Sequence, residues 1–259
     1  MMIRALVSSV VIAVVAAAAG PALAAPAPVS LRSMTFQFEI SSRTEQRVQT
    51  SGLTQTDSMS GSPIGAAGGA SVVTQQSGSV AAKGTIAVEV VAITADGLVV
   101  DITETADGRG APKTRIGITT KGKLIYDASK AVVNEEEILL LQLLNRSLVE
   151  GHDADGVSWT DDVSERGFKD VTTYHVVSSE ETTPGPLLHI ELERSVSASA
   201  GAYPFDLTEN GKLDYNEQRA VPLGVTLRER RTGRNAGGQQ IRTEATYTYK
   251  LAADTGVRH

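Results

Sequence analysis

Apolar and polar residues alternate with a period of two through most of this chain. Only extended backbone uses that period, because successive side chains of a strand point to opposite faces. Met34, Phe36, Phe38 and Ile40 fall on one face, and Ser33, Thr35, Gln37 and Glu39 on the other. Near the C-terminus, Ile241, Thr243, Ala245, Tyr247, Tyr249 and Leu251 oppose Arg242, Glu244, Thr246, Thr248 and Lys250. Between these two segments, strands are expected at 85–94, 98–105, 115–119, 123–126, 157–163, 170–179, 186–196, 202–207, 212–218 and 223–231. The turn residues that separate them have the spacing of an antiparallel meander. At 259 residues, the chain fits a single large β domain.

One segment breaks the pattern. Ile138, Leu141, Leu144 and Leu148 share a helical stripe, widened by Leu139, Leu140 and Leu143. Asn134 at the N-cap with Glu137 three residues on forms a capping-box pair, and Glu135, Glu136 and Glu137 complement the positive end of the helix dipole. Gly151 is the expected stop. Such an apolar helix needs cover on most sides. The hairpin through Ala95, Asp96 and Gly97 needs the same, because Ile86, Val88, Val90, Val91, Ile93, Leu98, Val99, Val100 and Ile102 are nearly continuous and imply strands covered on both faces. The expected fold is therefore mainly β, a large antiparallel meander curved into an open or half barrel around one central apolar helix. A space between sheet and helix would be lined by Val88, Val90, Val100, Leu141, Leu144 and Leu148.

From about residue 52 to 82 the composition shifts to Gly, Ser, Thr, Gln and Ala. Such a segment buries little surface, so a flexible loop is expected, either a plain connection or a flap over a cavity. The first 24 residues read as a secretory signal peptide. A single Arg4 precedes the apolar stretch from Ala5 to Ala19, and Ala22 and Ala24 provide small residues before a cleavage expected ahead of Ala25. A retained anchor is the rival reading, but the run is short of the ~20 residues a spanning helix needs. Residues 25–259 would then form one β-rich domain, periplasmic or secreted, with no membrane span after cleavage. The sequence has no cysteine. This excludes disulfides, thiolate metal sites, a cysteine nucleophile and a lipid-modified N-terminal cysteine. A formal charge of −6 argues against nucleic acid as a partner.

Asp206 to Glu217 resembles the twelve-residue EF-hand calcium loop, with Asp206, Thr208, Asn210, Asp214 and Glu217 at ligand positions and Gly211 at the turn. Calcium is the only cofactor this chain suggests, with Asp206, Asn210, Asp214 and Glu217 as its ligands. The same residues also suit a hairpin closed by Glu209, Asn210 and Gly211, pairing Phe205 with Tyr215 and Leu207 with Leu213. Gly201, Pro204 and Pro222 oppose the helices that flank a true EF-hand. His152, His175, His189 and His259 show no metal-ligand spacing. Arg228, Arg230, Arg231 and Arg234 form a basic cluster, suited to phosphate or sulfate or to protecting an edge strand. The sequence motifs of serine hydrolases, zinc proteases, phosphate-binding loops and penicillin-binding enzymes are missing, and a non-catalytic role is expected.

The doubly apolar 86–102 hairpin, the 138–148 helix and the exported acidic meander together resemble the LolA/LolB-like periplasmic lipoprotein-carrier superfamily in layout. The likeness covers most of the chain after residue 24. It implies a curved sheet that wraps helices and holds acyl chains, and the missing cysteine excludes the membrane-tethered branch. The expected function is to carry or sense a lipid or other apolar ligand between sheet and helix. The alternative is an envelope module that binds a protein or polysaccharide through its sheet surface; it implies a filled core and an exposed apolar or aromatic patch, for which Tyr203, Tyr215, Tyr247 and Tyr249 are the first candidates.

Overall fold

A computed structural model describes residues 30–50, 72–120, 122–126, 133–144, 151–152, 154–165, 167–183, 185–199, 204–235 and 238–256. The expected signal peptide, residues 51–71 of the expected loop, Leu148, Tyr203 and His259 lie outside the described residues.

The strands are β1 (Arg32–Thr50), β2 (Val72–Thr94), β3 (Gly97–Ala106), β4 (Arg109–Gly110), β5 (Thr114–Thr119) and β6 (Leu124–Ile125). After the helix α1 (Glu135–Gln142) come β7 (Ser158–Glu165), β8 (Phe168–Thr182), β9 (Gly185–Ala198), β10 (Phe205–Asn216), β11 (Val221–Arg234) and β12 (Gln240–Asp254). They form one antiparallel sheet ordered β6-β5-β3-β2-β1-β12-β11-β10-β9-β8-β7, with β4 beside β3. The sheet is open, and β6 and β7 are its edges. Two meanders meet where the first described strand pairs with the last, setting Phe38 opposite Tyr249 and Ile40 opposite Tyr247.

The period-two pattern sorts residues as expected. Met34, Phe36 and Phe38 on β1 lie on the same buried face as Ile86, Val88 and Val90 on β2, Val225 and Leu227 on β11, and Tyr247 and Tyr249 on β12. Each large side chain buried there contributes roughly 1.5–3 kcal/mol. The inner-face residues of both meanders and the leucines of α1 belong to one core cluster.

Four expectations need correction. First, β2 begins at Val72, so the second part of the expected loop is strand, paired with β1 from Thr50↔Val72 onward. Backbone pairing does not require apolar side chains. Second, the hairpin of β2 and β3 is not covered on both faces: Ile93 is 55% exposed, and Val91 and Val99 are half-buried. The apolar run is continuous because a bulge between Val90 and Ala92 inserts Val91 as an unpaired residue. Third, α1 ends at Gln142. Leu143 donates its N–H to the Leu140 carbonyl at 3.1 Å and Leu144 to that of Leu141 at 3.1 Å, a tightened last turn.

Fourth, β10 is a single strand, so residues 206–217 form neither a hairpin nor a calcium loop. Phe205–Asn216 pairs along its whole length with β9 on one side and β11 on the other. Asp206, Asn210 and Asp214 point outward along this strand, and Glu217 begins the following turn. At ~3.3 Å per residue, Asp206 and Asp214 are ~26 Å apart and cannot share an ion. Gly211 is no turn glycine. A Cβ there would meet Leu227 Cδ2 at 2.5 Å and Leu192 Cγ at 3.0 Å, so glycine makes room for two leucines on the inner face.

Candidate functional site

α1 packs its leucines against the inner face, and its first turn makes the polar contacts that hold it there. The Asn134 backbone N–H donates to Glu137 Oε2 at 2.8 Å, completing one arm of the expected cap, and Asn134 Nδ2 donates to Glu104 Oε2 of β3 at 2.8 Å. Tyr249 Oη of β12 donates to the Glu136 carbonyl at 2.9 Å. Arg231 of β11 donates to Glu135 and forms an ion pair with it. The helix is thus tied to strands on both sides of the β1/β12 seam. Its apolar side, Leu139, Leu140 and Leu141, packs into the core.

Of the expected cavity-lining residues, Val88, Val90, Val100, Leu141 and Leu144 all belong to this one core, each at most 3% exposed. The structure therefore brings these five residues together as packed side chains, the valines from β2 and β3 and the leucines from α1 and the turn that ends it.

Beside this apolar zone runs a row of charged groups that sequence reasoning missed. Arg194 of β9 donates to both oxygens of Asp170 on β8 at 2.9 and 2.7 Å. Arg194 stands opposite Glu209 of β10, and Glu209 stands opposite Glu229 of β11. Arg231 Nε lies 3.3 Å from Glu229 Oε1. Among the described residues, Glu209 Oε2, Glu229 Oε2 and Arg231 Nε are buried without a hydrogen-bond partner. Burial raises the Glu229 carboxyl to about 7, reinforced by the charges of Glu135 and Glu209 and opposed by Arg231 and Arg194. Burial raises Glu209 in the same direction, against the pull of Arg194. Glu137 is also raised to about 7, chiefly by burial, with Glu104 and Glu136 adding to it and the Asn134 N–H opposing.

This row had a readable signal. Glu209 falls in phase with Leu207, Gly211 and Leu213, and Glu229 and Arg231 fall in phase with Val225 and Leu227. Charged residues in the apolar phase of a strand are either buried or break the pattern.

The opposite face carries a groove of about 590 Å3, walled by β2, β1, β12, β11 and β10. Arg43, Arg228, Arg230, Glu244, Thr208 and Asn210 are among its lining residues. Of the basic cluster, Arg228 and Arg230 share this outer face as expected, whereas Arg231 turns inward to Glu135.

The expected aromatic patch is not on the surface: Tyr215, Tyr247 and Tyr249 are all buried. His175 Nδ1 bonds Ser158 Oγ at 2.8 Å, and His189 Nδ1 bonds Asp214 Oδ1 at 2.8 Å. His152 stacks on Trp159, which stacks on Tyr174. No group of three His, Cys, Asp or Glu placed to hold a metal occurs among the described residues. No described helix is long and apolar enough to cross a membrane.

No family model matches the chain, and no curated protein matches it in sequence. Among solved structures, it is similar to a chain described as "lipid-protein interactions in lipovitellin", with a TM-score of 0.45 and 9% sequence identity. The match covers 90% of this chain and 26% of the other, so this chain spans about a quarter of that protein's length. The likeness to the lipoprotein-carrier superfamily rests on the layout of the sequence alone.

Proposed function

We propose that this is an exported, non-catalytic binding protein that takes up a lipid or other apolar ligand between its sheet and α1. The observation that carries this reading is the cover of the inner face. Eleven strands in hydrogen-bonded sequence present apolar side chains to one side. Among the described residues, the only regular element off the sheet is an eight-residue helix, followed by Leu143 and Leu144 in the same core. Such a helix is ~12 Å long, whereas eleven strands span ~48 Å, so α1 covers only part of a face whose side chains are nonetheless buried in one apolar core. The helix is held by its first turn through Asn134, Glu135 and Glu136, and beyond those contacts mainly by apolar packing. An acyl chain can replace leucine side chains in that packing at little cost, because both are apolar and the area buried is conserved. α1 is then a hinged cover, anchored at its N-terminal turn.

The test is native mass spectrometry of detergent-free protein, with solvent extraction and lipid analysis of the same sample. A stoichiometric adduct that extracts as lipid is the expected result. A bare mass that stays bare when phospholipid and fatty acid are offered would contradict the proposal.

A further inference from the structure

We propose that the outer-face groove is a second binding site, one for an acidic glycan whose carboxylate or sulfate groups are read by Arg43, Arg228 and Arg230. It lies on the side of the sheet away from α1 and does not depend on the apolar-ligand reading. The register builds it from two adjacent rows. In one, Thr208 pairs with Arg230, Arg230 with Glu244, and Glu244 with Arg43. In the next, Asn210 pairs with Arg228, Arg228 with Thr246, and Thr246 with Ser41. Three guanidinium groups therefore face one side and, among the described residues, Glu244 is the only outward acid lining the groove, since Glu229 points to the inner face.

Glu244 is already shared. It accepts from Arg230 Nε at 3.2 Å and from Arg242 at 2.5 Å. Arg43 pairs with Glu45 at 3.1 Å, its own side chain 64% exposed. Arg228 forms no ion pair among the described residues. The groove is thus locally basic on a chain whose formal charge is −6, a concentration of positive charge that attracts anions.

Size and lining narrow the occupant. A volume of about 590 Å3 far exceeds that of one inorganic anion. From β2 to β10 it runs across four strand spacings, ~19 Å, and Arg43 and Arg230 are two spacings apart, ~10 Å. That separation suits acid groups repeated along a chain. Ser41, Ser79, Thr208, Asn210 and Thr246 add hydroxyl and amide groups suited to sugar hydroxyls. Among the described residues no aromatic side chain lines the groove, so they offer a neutral sugar no ring to stack on, and the acid groups carry recognition. Arginine does this through its planar, two-pronged set of donors.

The experiment is titration calorimetry of the intact protein at fixed 0.1 M ionic strength. The probes are a heparin-derived hexasaccharide, an oligogalacturonate of equal length, neutral maltohexaose and sodium sulfate. At least one acidic oligosaccharide is expected to bind at one site per chain, and maltohexaose and sulfate are not. Arg228→Gln and Arg43→Gln should each weaken that binding about tenfold without changing the thermal midpoint, as both side chains are exposed. Arg242→Gln, on the same face but outside the lining, should change it less than twofold. Lack of binding by both acidic probes, equal binding of maltohexaose, or equal binding of sulfate would overturn the proposal. So would a loss in the Arg242 variant as large as in the Arg228 variant, which would mean diffuse charge and no site.

Discussion

Replacing Glu229 by glutamine removes one of two carboxyls that face each other in the buried row between β10 and β11. Burial, with Glu135 and Glu209 nearby, moves the Glu229 carboxyl from its ordinary 4.5 to about 7 in the folded protein. Between those values the folded state binds more protons than the unfolded state, so stability falls as pH rises through this window. It is complete below pH 4.5 and has been lost above pH 7. At about 1.4 kcal/mol per pH decade, that interval sets a ceiling of about 3 kcal/mol on the penalty for the ionised form. Glutamine keeps the shape and cannot ionise. The variant should match the native protein near pH 4 and exceed it by about 1–3 kcal/mol at pH 8, with the difference opening between pH 4.5 and 7. Urea unfolding at half-unit pH intervals measures this. A glutamine variant less stable at pH 8, or a difference independent of pH, would refute the reasoning and show that Arg231 holds Glu229 ionised at no cost.

Three other predictions follow from the packing. Asp254 is buried between Arg32 and Arg219; burial pushes its carboxyl up, but the Arg32 hydrogen bonds, the Gly256 N–H and the two guanidinium charges outweigh that and hold it below the ordinary 3.8. Asp254→Asn should cost about 3–5 kcal/mol at pH 7 in urea unfolding, and the native protein should lose this contribution as pH falls through the depressed value, whereas an Asn variant of unchanged stability would contradict the ion triad. Gly211→Ala should destabilise by about 1–3 kcal/mol through overpacking against Leu227 and Leu192, and unchanged stability would contradict a mid-strand glycine. With no native cysteine to interfere, spin labels at Asp206→Cys and Asp214→Cys should report a backbone separation of ~26 Å, whereas a hairpin would bring the two positions to ~5 Å.

The strands were legible in the sequence because inner and outer residues keep their phase, as Met34 to Ile40 and Ala245 to Leu251 do. The helix start was legible because Asn134 and Glu137 mark it chemically. The sequence of β10 is ambiguous for a physical reason. Calcium-loop ligands at positions 1, 3, 5, 7 and 9 repeat with a period of two, as does the solvent face of a strand. Asp206, Thr208, Asn210, Lys212 and Asp214 satisfy both patterns. Asn210-Gly211 also has the composition of a turn, although here the glycine answers to Leu192 and Leu227 across the strands. The outer groove was half legible: Arg228 and Arg230 stood out, but Arg43 joins them only through β12, which pairs with β1 from the far end of the chain. The inner charged row was hidden because its partners are separated in sequence and meet only through strand register.

The uptake reading predicts that α1 moves away from the sheet when ligand enters. Spin labels at Gln142→Cys, at the end of α1, and Thr248→Cys, on the exposed face of β12, place one reporter on the helix and one on the sheet. Their distance distribution should be measured for lipid-free protein and after incubation with phosphatidylethanolamine–phosphatidylglycerol vesicles. A longer or broader distribution with vesicles is expected. A distribution that does not change, in a sample that mass spectrometry shows to carry no lipid, would contradict uptake beneath the helix.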